Sequence, residues 1–236
     1  MNTLQEGAAN LGITLSDAHL HKFDSYYQEL MQWNEKFNLT AIVDREAVYV
    51  KHFLDSLTLT EELRHGDSKT VIDIGSGGGL PGIPLAIVLP ECSITLLEAT
   101  GKKAVFLRHI IETLGLENVH VVHGRAEEYA HMPDYRENFG FVLARAVAPL
   151  NVLVELLLPF CTVGGTCIAP KKGDIEGEIA AALSGIERLG GTIRTIKTVS
   201  IPDEENDRRL VIIEKIQATP EMYPRRPGIP SKRPLV

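Results

Sequence analysis

Cysteine is scarce in this chain. Cys92, Cys161 and Cys167 are odd in number and show no metal-ligand spacing. That excludes a disulfide framework, predicts reduced thiols in a cytoplasmic protein, and gives no reason to expect a metal. Long apolar runs are absent as well. The longest candidates, residues 79–90 and 147–160, contain prolines, and the second also contains Glu155. Neither approaches the roughly 20 apolar residues that cross a bilayer, so no membrane partner is expected. The opening MNTLQEGAANLG has no basic region ahead of an apolar run, so no signal peptide is expected. Positive charge is also short. A net charge of -7 gives no help to a nucleic-acid partner, for which a basic chain is the easier case. The deficit is uneven, however. Beyond Glu214 the chain holds Lys215, Arg225, Arg226, Lys232 and Arg233 against Glu221 alone. Such a tail is either a patch that touches phosphates or a solvated end.

What is present is the material of a packed domain. The 236 residues and a hydrophobic fraction of 44% fit one large domain, or one with an appendage, able to bury its own core. Residues 1 to about 64 read as helical. Ser16 is placed to cap a helix carrying Phe23, Tyr26, Tyr27, Leu30, Trp33 and Phe37. Asp44 is placed to cap a second, with Val48, Phe53, Leu54 and Leu57 as its stripe. After a link at residues 66–68, short apolar runs alternate with helical patterns from TVIDI to residue 189. That alternation predicts a mostly parallel, doubly wound sheet covered on both faces. GTIRTIKTVSIP and DRRLVIIEKI then predict an antiparallel hairpin joined by a short loop, and the proline-rich end predicts an extended segment laid over the surface.

The chemistry concentrates at VIDIGSGGGLPG, residues 71–82. A strand, a glycine turn and a helix make a nucleotide-type pocket at the carboxyl edge of a sheet. Gly77, Gly79 and Gly82 fit the G-x-G-x-x-G dinucleotide pattern, and Gly75, Gly77 and Gly79 fit the denser G-x-G-x-G of S-adenosylmethionine enzymes. Asp73 favours the second, the alternative being that it only caps the helix or bonds the loop. A carboxylate beside the turn repels a diphosphate and suits a ligand bearing an ammonium and a sulfonium. Glu98 ends the next strand, where an acid is placed to accept the ribose hydroxyls, or merely to face solvent. Ala126 and Glu127 follow the third strand, where an adenine is commonly met.

The fourth strand ends LARAVAPL. It lacks the Asp or Asn that accepts an amine's hydrogens in amino methylation, and the cysteines read as core residues rather than nucleophiles. An acceptor that is already nucleophilic remains: guanine N7, which has a lone pair and no proton to lose, or a thiol or carboxylate. Arg145 and Lys172 stand at the ends of strands four and five. Arg145 is placed to hold the donor's carboxylate or a phosphate, and Lys172 to meet a phosphate as a point charge.

Several long stretches in order, FNLTAIVDREAVYVKHFLDSL, DIGSGGGLPGIPLAI, GKKAVFLRHIIETLGLENVHVVHGRAEE and ARAVAPL, resemble the bacterial 16S ribosomal RNA (guanine-N7) methyltransferase G family, also called glucose-inhibited division protein B. The resemblance covers nearly the whole chain. It implies a Rossmann-like class I S-adenosylmethionine-dependent methyltransferase fold: a helical cap over residues 1–66, a seven-stranded domain over 67–216, and a basic proline-rich tail over 217–236. It implies methylation of a guanine N7 in small-subunit ribosomal RNA, free or in the 30S subunit, by a cytoplasmic protein expected to be a monomer. The donor site expected is Asp73, Gly75, Gly77, Leu80, Glu98, Ala126, Glu127 and Arg145, with Arg145 and Lys172 toward the reaction; Lys171 competes with Lys172. Asn38, Arg45, His52 and Asp55 either shape an RNA entrance or fix the cap. The rival readings are a small-molecule methyltransferase on the same fold, an NAD-dependent oxidoreductase using the Gly77 frame, and an assembly factor without turnover.

Overall fold

The computed structural model describes residues 3–66, 68–173, 175–201 and 208–235. The loop expected inside the C-terminal hairpin, 202–207, lies outside the described residues. The N-terminal part runs through α1 (Thr3–Asn10), α2 (Asp17–Phe37), α3 (Arg45–Val48), a π-helix at Tyr49–Leu54, α4 (Asp55–Leu57) and α5 (Thr60–His65). Ser16 caps α2 as the sequence predicts: its hydroxyl accepts from the His19 N–H, and His19 Nδ1 accepts from the Ser16 N–H in return. Asn38 ends α2 in the left-handed region at φ 50°, a conformation its short polar side chain tolerates. Asp44 caps α3 through the Ala47 N–H. The stripe that follows is not a regular helix. The five-residue step from Val48 to Phe53 overshoots one α turn, and the wide π turn takes up the extra residue. Both side chains are thereby fully buried.

From β1 (Thr70–Ile74) the chain alternates: α6 (Gly82–Val88), β2 (Ser93–Glu98), α7 (Gly101–Leu114), β3 (Val119–His123), α8 (Ala126–Tyr129), β4 (Phe139–Leu143), α9 (Leu150–Leu157) with a 3-10 turn at Leu158–Phe160, β5 (Cys161–Lys172) and α10 (Glu176–Arg188). Then come β6 (Gly191–Val199), β7 (Arg208–Lys215) and the short α11 (Ile229–Lys232). Among the described residues the seven strands form one sheet in the order β3-β2-β1-β4-β5-β7-β6. The first five are parallel; β7 is antiparallel to both β5 and β6, so the expected hairpin closes the sheet.

The period of two decides what each face buries. Val71, Leu96, Leu143 and Ile212 join a core with Phe23, Tyr26, Phe53, Ile83 and Phe106, so α1, α2, α6 and α7 cover one face. Ile72, Leu97, Val142 and Ile213 join Leu153, Leu157, Phe160 and Ile186 of α9, the 3-10 turn and α10 on the other. Each such side chain contributes about 1.5–3 kcal/mol by leaving water. The strand order reverses between β1 and β4, which opens a crevice at their carboxyl ends.

The C-terminal segment departs from the expected extended tail. Tyr223, Pro230 and Leu235 are buried, and α11 replaces part of the extended chain. Lys215 is no part of a basic patch. It is fully buried, and its ammonium donates to the Leu158 carbonyl at 2.6 Å and lies 3.1 Å from Glu137.

Candidate active site: a donor crevice and a basic cleft

Strand β1 delivers Asp73 and Ile74 to the carboxyl edge, and the glycine turn begins at once. Gly75 takes φ 70°, in the left-handed region, and a Cβ there would come within 2.9 Å of Val147. Gly82 opens α6 so close to β2 that a Cβ would stand 2.2 Å from the Leu96 side chain. Only glycine permits both. Tyr26 of the cap donates its hydroxyl to the Gly78 carbonyl, tying α2 to the turn. Leu80 is buried and precedes a cis bond to Pro81.

The turn's N–H groups are largely taken up by the protein itself. Those of Gly75 and Ser76 reach the Leu97 carbonyl, and those of Gly79 and Leu80 reach the Ser76 carbonyl. Gly77 donates to Glu98 Oε2 at 2.8 Å, and Gly82, the first residue of α6, donates to Asp73 Oδ2 at 3.1 Å. A diphosphate binds such a turn through these same donors. Here two carboxylates already hold that ground, and they repel a second anion.

Asp73 is fully buried, and Oδ1 is a buried side-chain atom without a hydrogen-bond partner. Burial pushes its carboxyl up to about 7, against the pull of the Gly82 N–H and of Arg145. One oxygen of this part-protonated acid is thus held by the helix start, while the other has no partner. Glu98 is 5% exposed and accepts from the Gly77 and Thr100 N–H groups. It shapes the turn instead of facing solvent.

Gly75, Ala126 and Glu127 meet around one crevice of about 180 Å³, with Leu97, Ala99 and Arg125 among its walls and Val147 and Leu156 closing it. Arg145 and Lys172 meet around another. That cleft, of about 380 Å³, is lined by Lys51, His52, Asp55, Arg145, Ala146, Lys171, Lys172 and Arg208. The two share a wall: Arg145 and Ala146 line the cleft, and the next residue, Val147, lines the crevice. Ala146 holds φ 56°, an unusual value for a side-chain-bearing residue and one that clusters at functional sites.

Inside the cleft, Asp55 is fully buried. It pairs with Arg145 Nη1 at 2.7 Å and Arg208 Nε at 2.5 Å. His52 stays neutral: burial and the neighbouring Arg145 push its imidazole down to about 4. Lys171, also at the cleft, is held by Glu178 at 2.6 Å and the Ala148 carbonyl at 2.9 Å. Sequence reasoning missed Lys51 and Arg208. The basic pair ahead of the apolar run of β7 was the available signal for Arg208. Asn38 caps α2 and Arg45 pairs with Asp24 on the surface, away from both cavities.

A mostly parallel seven-stranded sheet with a crevice at its switch point is the architecture of the Rossmann-like, class I S-adenosylmethionine-dependent methyltransferases. Solved structures of that class share the fold. An O-methyltransferase from Bacillus cereus in complex with SAH matches with a TM-score of 0.58 at 21% identity, covering 81% of this chain and 91% of that one. A putative O-methyltransferase from Klebsiella pneumoniae matches with a TM-score of 0.56 at 16% identity, covering 81% and 90%. Sequence is more specific. Residues 19–209 match the family model for rRNA small subunit methyltransferase G. The chain is 48% identical to the ribosomal RNA small subunit methyltransferase G of Dehalococcoides mccartyi over 236 residues, the whole of both. It is 46% identical to that of Brevibacillus brevis over 231 residues, 98% of this chain and 97% of the other. The chain belongs to the rRNA small subunit methyltransferase G family.

Proposed function

We propose that this protein transfers a methyl group from S-adenosylmethionine to N7 of a guanine in 16S ribosomal RNA. The observation that carries the reading is the shared wall at Arg145–Val147, which sets a donor crevice against a cleft lined by cations. When bound, S-adenosylmethionine supplies an electrophilic methyl group on a positive sulfonium.

Asp73, Gly75, Gly77, Leu80, Glu98, Ala126 and Glu127 hold the donor side. Gly75 and Gly77 bring bare backbone to it, Leu80 packs beneath the turn, and Glu98 fixes the turn through Gly77. Asp73 and Glu127 supply negative charge. On the other side Lys51, Arg145, Lys172 and Arg208 meet RNA phosphates, which bind through charge before any base is read. Arg145 stands between the two sides, since it also pulls on the Asp73 carboxyl.

The turn after β4 offers Arg145 between two alanines, with no carboxylate or amide to take a proton from an amine. Guanine N7 needs none, so alignment carries the rate. The guanine leaves its stack to reach the wall, at a cost of a few kcal/mol in a duplex and less in a loop. The partner proposed is small-subunit ribosomal RNA or the 30S subunit, met by a monomer in the cytoplasm. Among the described residues no helix is long and apolar enough to cross a membrane. The test is methyl transfer from labelled donor onto small-subunit RNA, followed by nucleoside identification. Label in 7-methylguanosine supports the reading. Label in another nucleoside, or transfer to small molecules alone, overturns it.

A further inference from the structure

The C-terminal segment is bonded to both outer walls of the donor crevice. On α8, the Gly228 N–H donates to Glu127 Oε1 at 3.2 Å, and two residues past its end His131 Nε2 lies 2.8 Å from the Pro224 carbonyl. Just beyond α8, Arg136 donates to the carbonyls of Tyr223 at 2.8 Å and Thr219 at 2.7 Å, and to that of Ala130 at 3.0 Å. On α9, Glu155 is buried and accepts from three donors of Arg225: its N–H at 2.8 Å, Nε at 2.9 Å and Nη2 at 2.6 Å. Glu155 is the neighbour of Leu156, which lines the crevice, and Glu127 lines it directly. Arg225 also donates to the Arg233 carbonyl at 2.7 Å, closing the segment on itself.

We infer that residues 219–235 form a strap that positions α8 and the Glu127 carboxylate for the methyl donor, with Gly228 as its contact residue. This rests on the assignment of the crevice to the donor. A four-residue helix is too short to hold its own place, and α8 has no side-chain cap. The strap supplies what α8 lacks. With one carboxylate oxygen held by Gly228, Glu127 loses rotamer freedom before the donor arrives, and preorganisation of that kind raises affinity. The basic residues of the segment divide accordingly. Arg225 is turned inward to Glu155, while Arg226, Lys232 and Arg233 are exposed.

Two variants test this. One ends the chain after Arg226, which removes Gly228 and keeps the Arg225–Glu155 pair. The other is Gly228→Val, which keeps every basic residue; Gly228 has φ 80° and open space around it, so the damage is to backbone geometry alone. S-adenosylmethionine binding is measured by calorimetry, with KM for donor and RNA and the salt dependence of RNA binding alongside. The expected result is about a five- to tenfold weaker donor Kd and a raised donor KM in both variants, faster amide exchange over residues 126–136, and unchanged RNA binding and salt slope. Should the truncated chain fail to fold, Gly228→Val decides. An unchanged donor Kd in Gly228→Val overturns the inference. So does a loss of RNA affinity with a shallower salt slope in the truncated chain while its donor Kd holds. If the intact chain itself fails to bind the donor, the crevice assignment falls, and the strap with it.

Discussion

Arg145 and Asp55 stand 90 positions apart and meet through a 2.7 Å ion pair in which the carboxylate is wholly buried and the guanidinium nearly so. Arg208 takes the other carboxylate oxygen. A carboxylate so placed holds two cations against the cleft wall and offsets their mutual repulsion. Removing the anion leaves two guanidiniums facing each other out of water. Asp55→Asn is expected to lower stability by about 3–5 kcal/mol, read from the urea midpoint at constant slope. The exposed Arg45–Asp24 pair is the control: Asp24→Asn is expected to cost about 0–1 kcal/mol.

Under the proposed function, Asp73 is expected to tie both stability and donor affinity to pH. Its carboxyl is raised to about 7 in the folded protein, from an ordinary value of 3.8. Between those values the folded state holds the proton and the unfolded state has released it, so stability from this group is full below about 4 and is lost as pH rises toward 7. Donor affinity moves the other way, because a cation favours the ionised acid. The donor Kd is expected to tighten from pH 6 to pH 8, and Asp73→Asn to flatten that profile. A profile unchanged in Asp73→Asn contradicts the role.

Gly75 is needed for its φ of 70° and for the space that Val147 fills. Gly75→Ala is expected to cost about 1–2 kcal/mol through the left-handed backbone alone, and to push Val147 into the crevice so that donor binding weakens. Gly115→Ala separates the two effects, since Gly115 has φ 58° and open space. Its expected outcome is a similar loss of stability, by thermal unfolding, with donor binding intact.

Under the proposed function, the neighbours Lys171 and Lys172 are expected to have different duties. Lys171 is held by Glu178 and the Ala148 carbonyl, while both lysines stand at the cleft. Lys172→Ala is expected to weaken RNA binding at low salt and to reduce the slope of log affinity against log salt by about one. Lys171→Ala is expected to lower stability and leave that slope unchanged. Filter binding across a salt series reads both.

The architecture was legible because its signals are local. The alternation of apolar strands with helical stripes gave the sheet, Ser16 and Asp44 announced their caps, and LPGIP extended the glycine motif. The places where reading along the chain stopped short are contacts between distant positions. Glu98 was visible as an acid at a strand end, but its turn back to the Gly77 N–H depends on how β1 and β2 pair. The tail's composition suggested a solvated or phosphate-touching end. Nothing nearby in sequence shows that Lys215 is buried beside Glu137, or that Arg225 reaches Glu155 across 70 positions. The π turn at Tyr49–Leu54 was equally hidden, since Val48 and Phe53 look like ordinary members of an apolar stripe.

The account depends most on a glycine turn whose N–H groups are largely taken up by the protein itself, those of Gly77 and Gly82 by Glu98 and Asp73, leaving a site for a cation and not for a diphosphate. Calorimetric titration of the intact protein with S-adenosylmethionine and, separately, with NAD tests it most directly. The account predicts saturable binding of S-adenosylmethionine and no heat from NAD at matched concentration. Saturable NAD binding that S-adenosylmethionine displaces would contradict it.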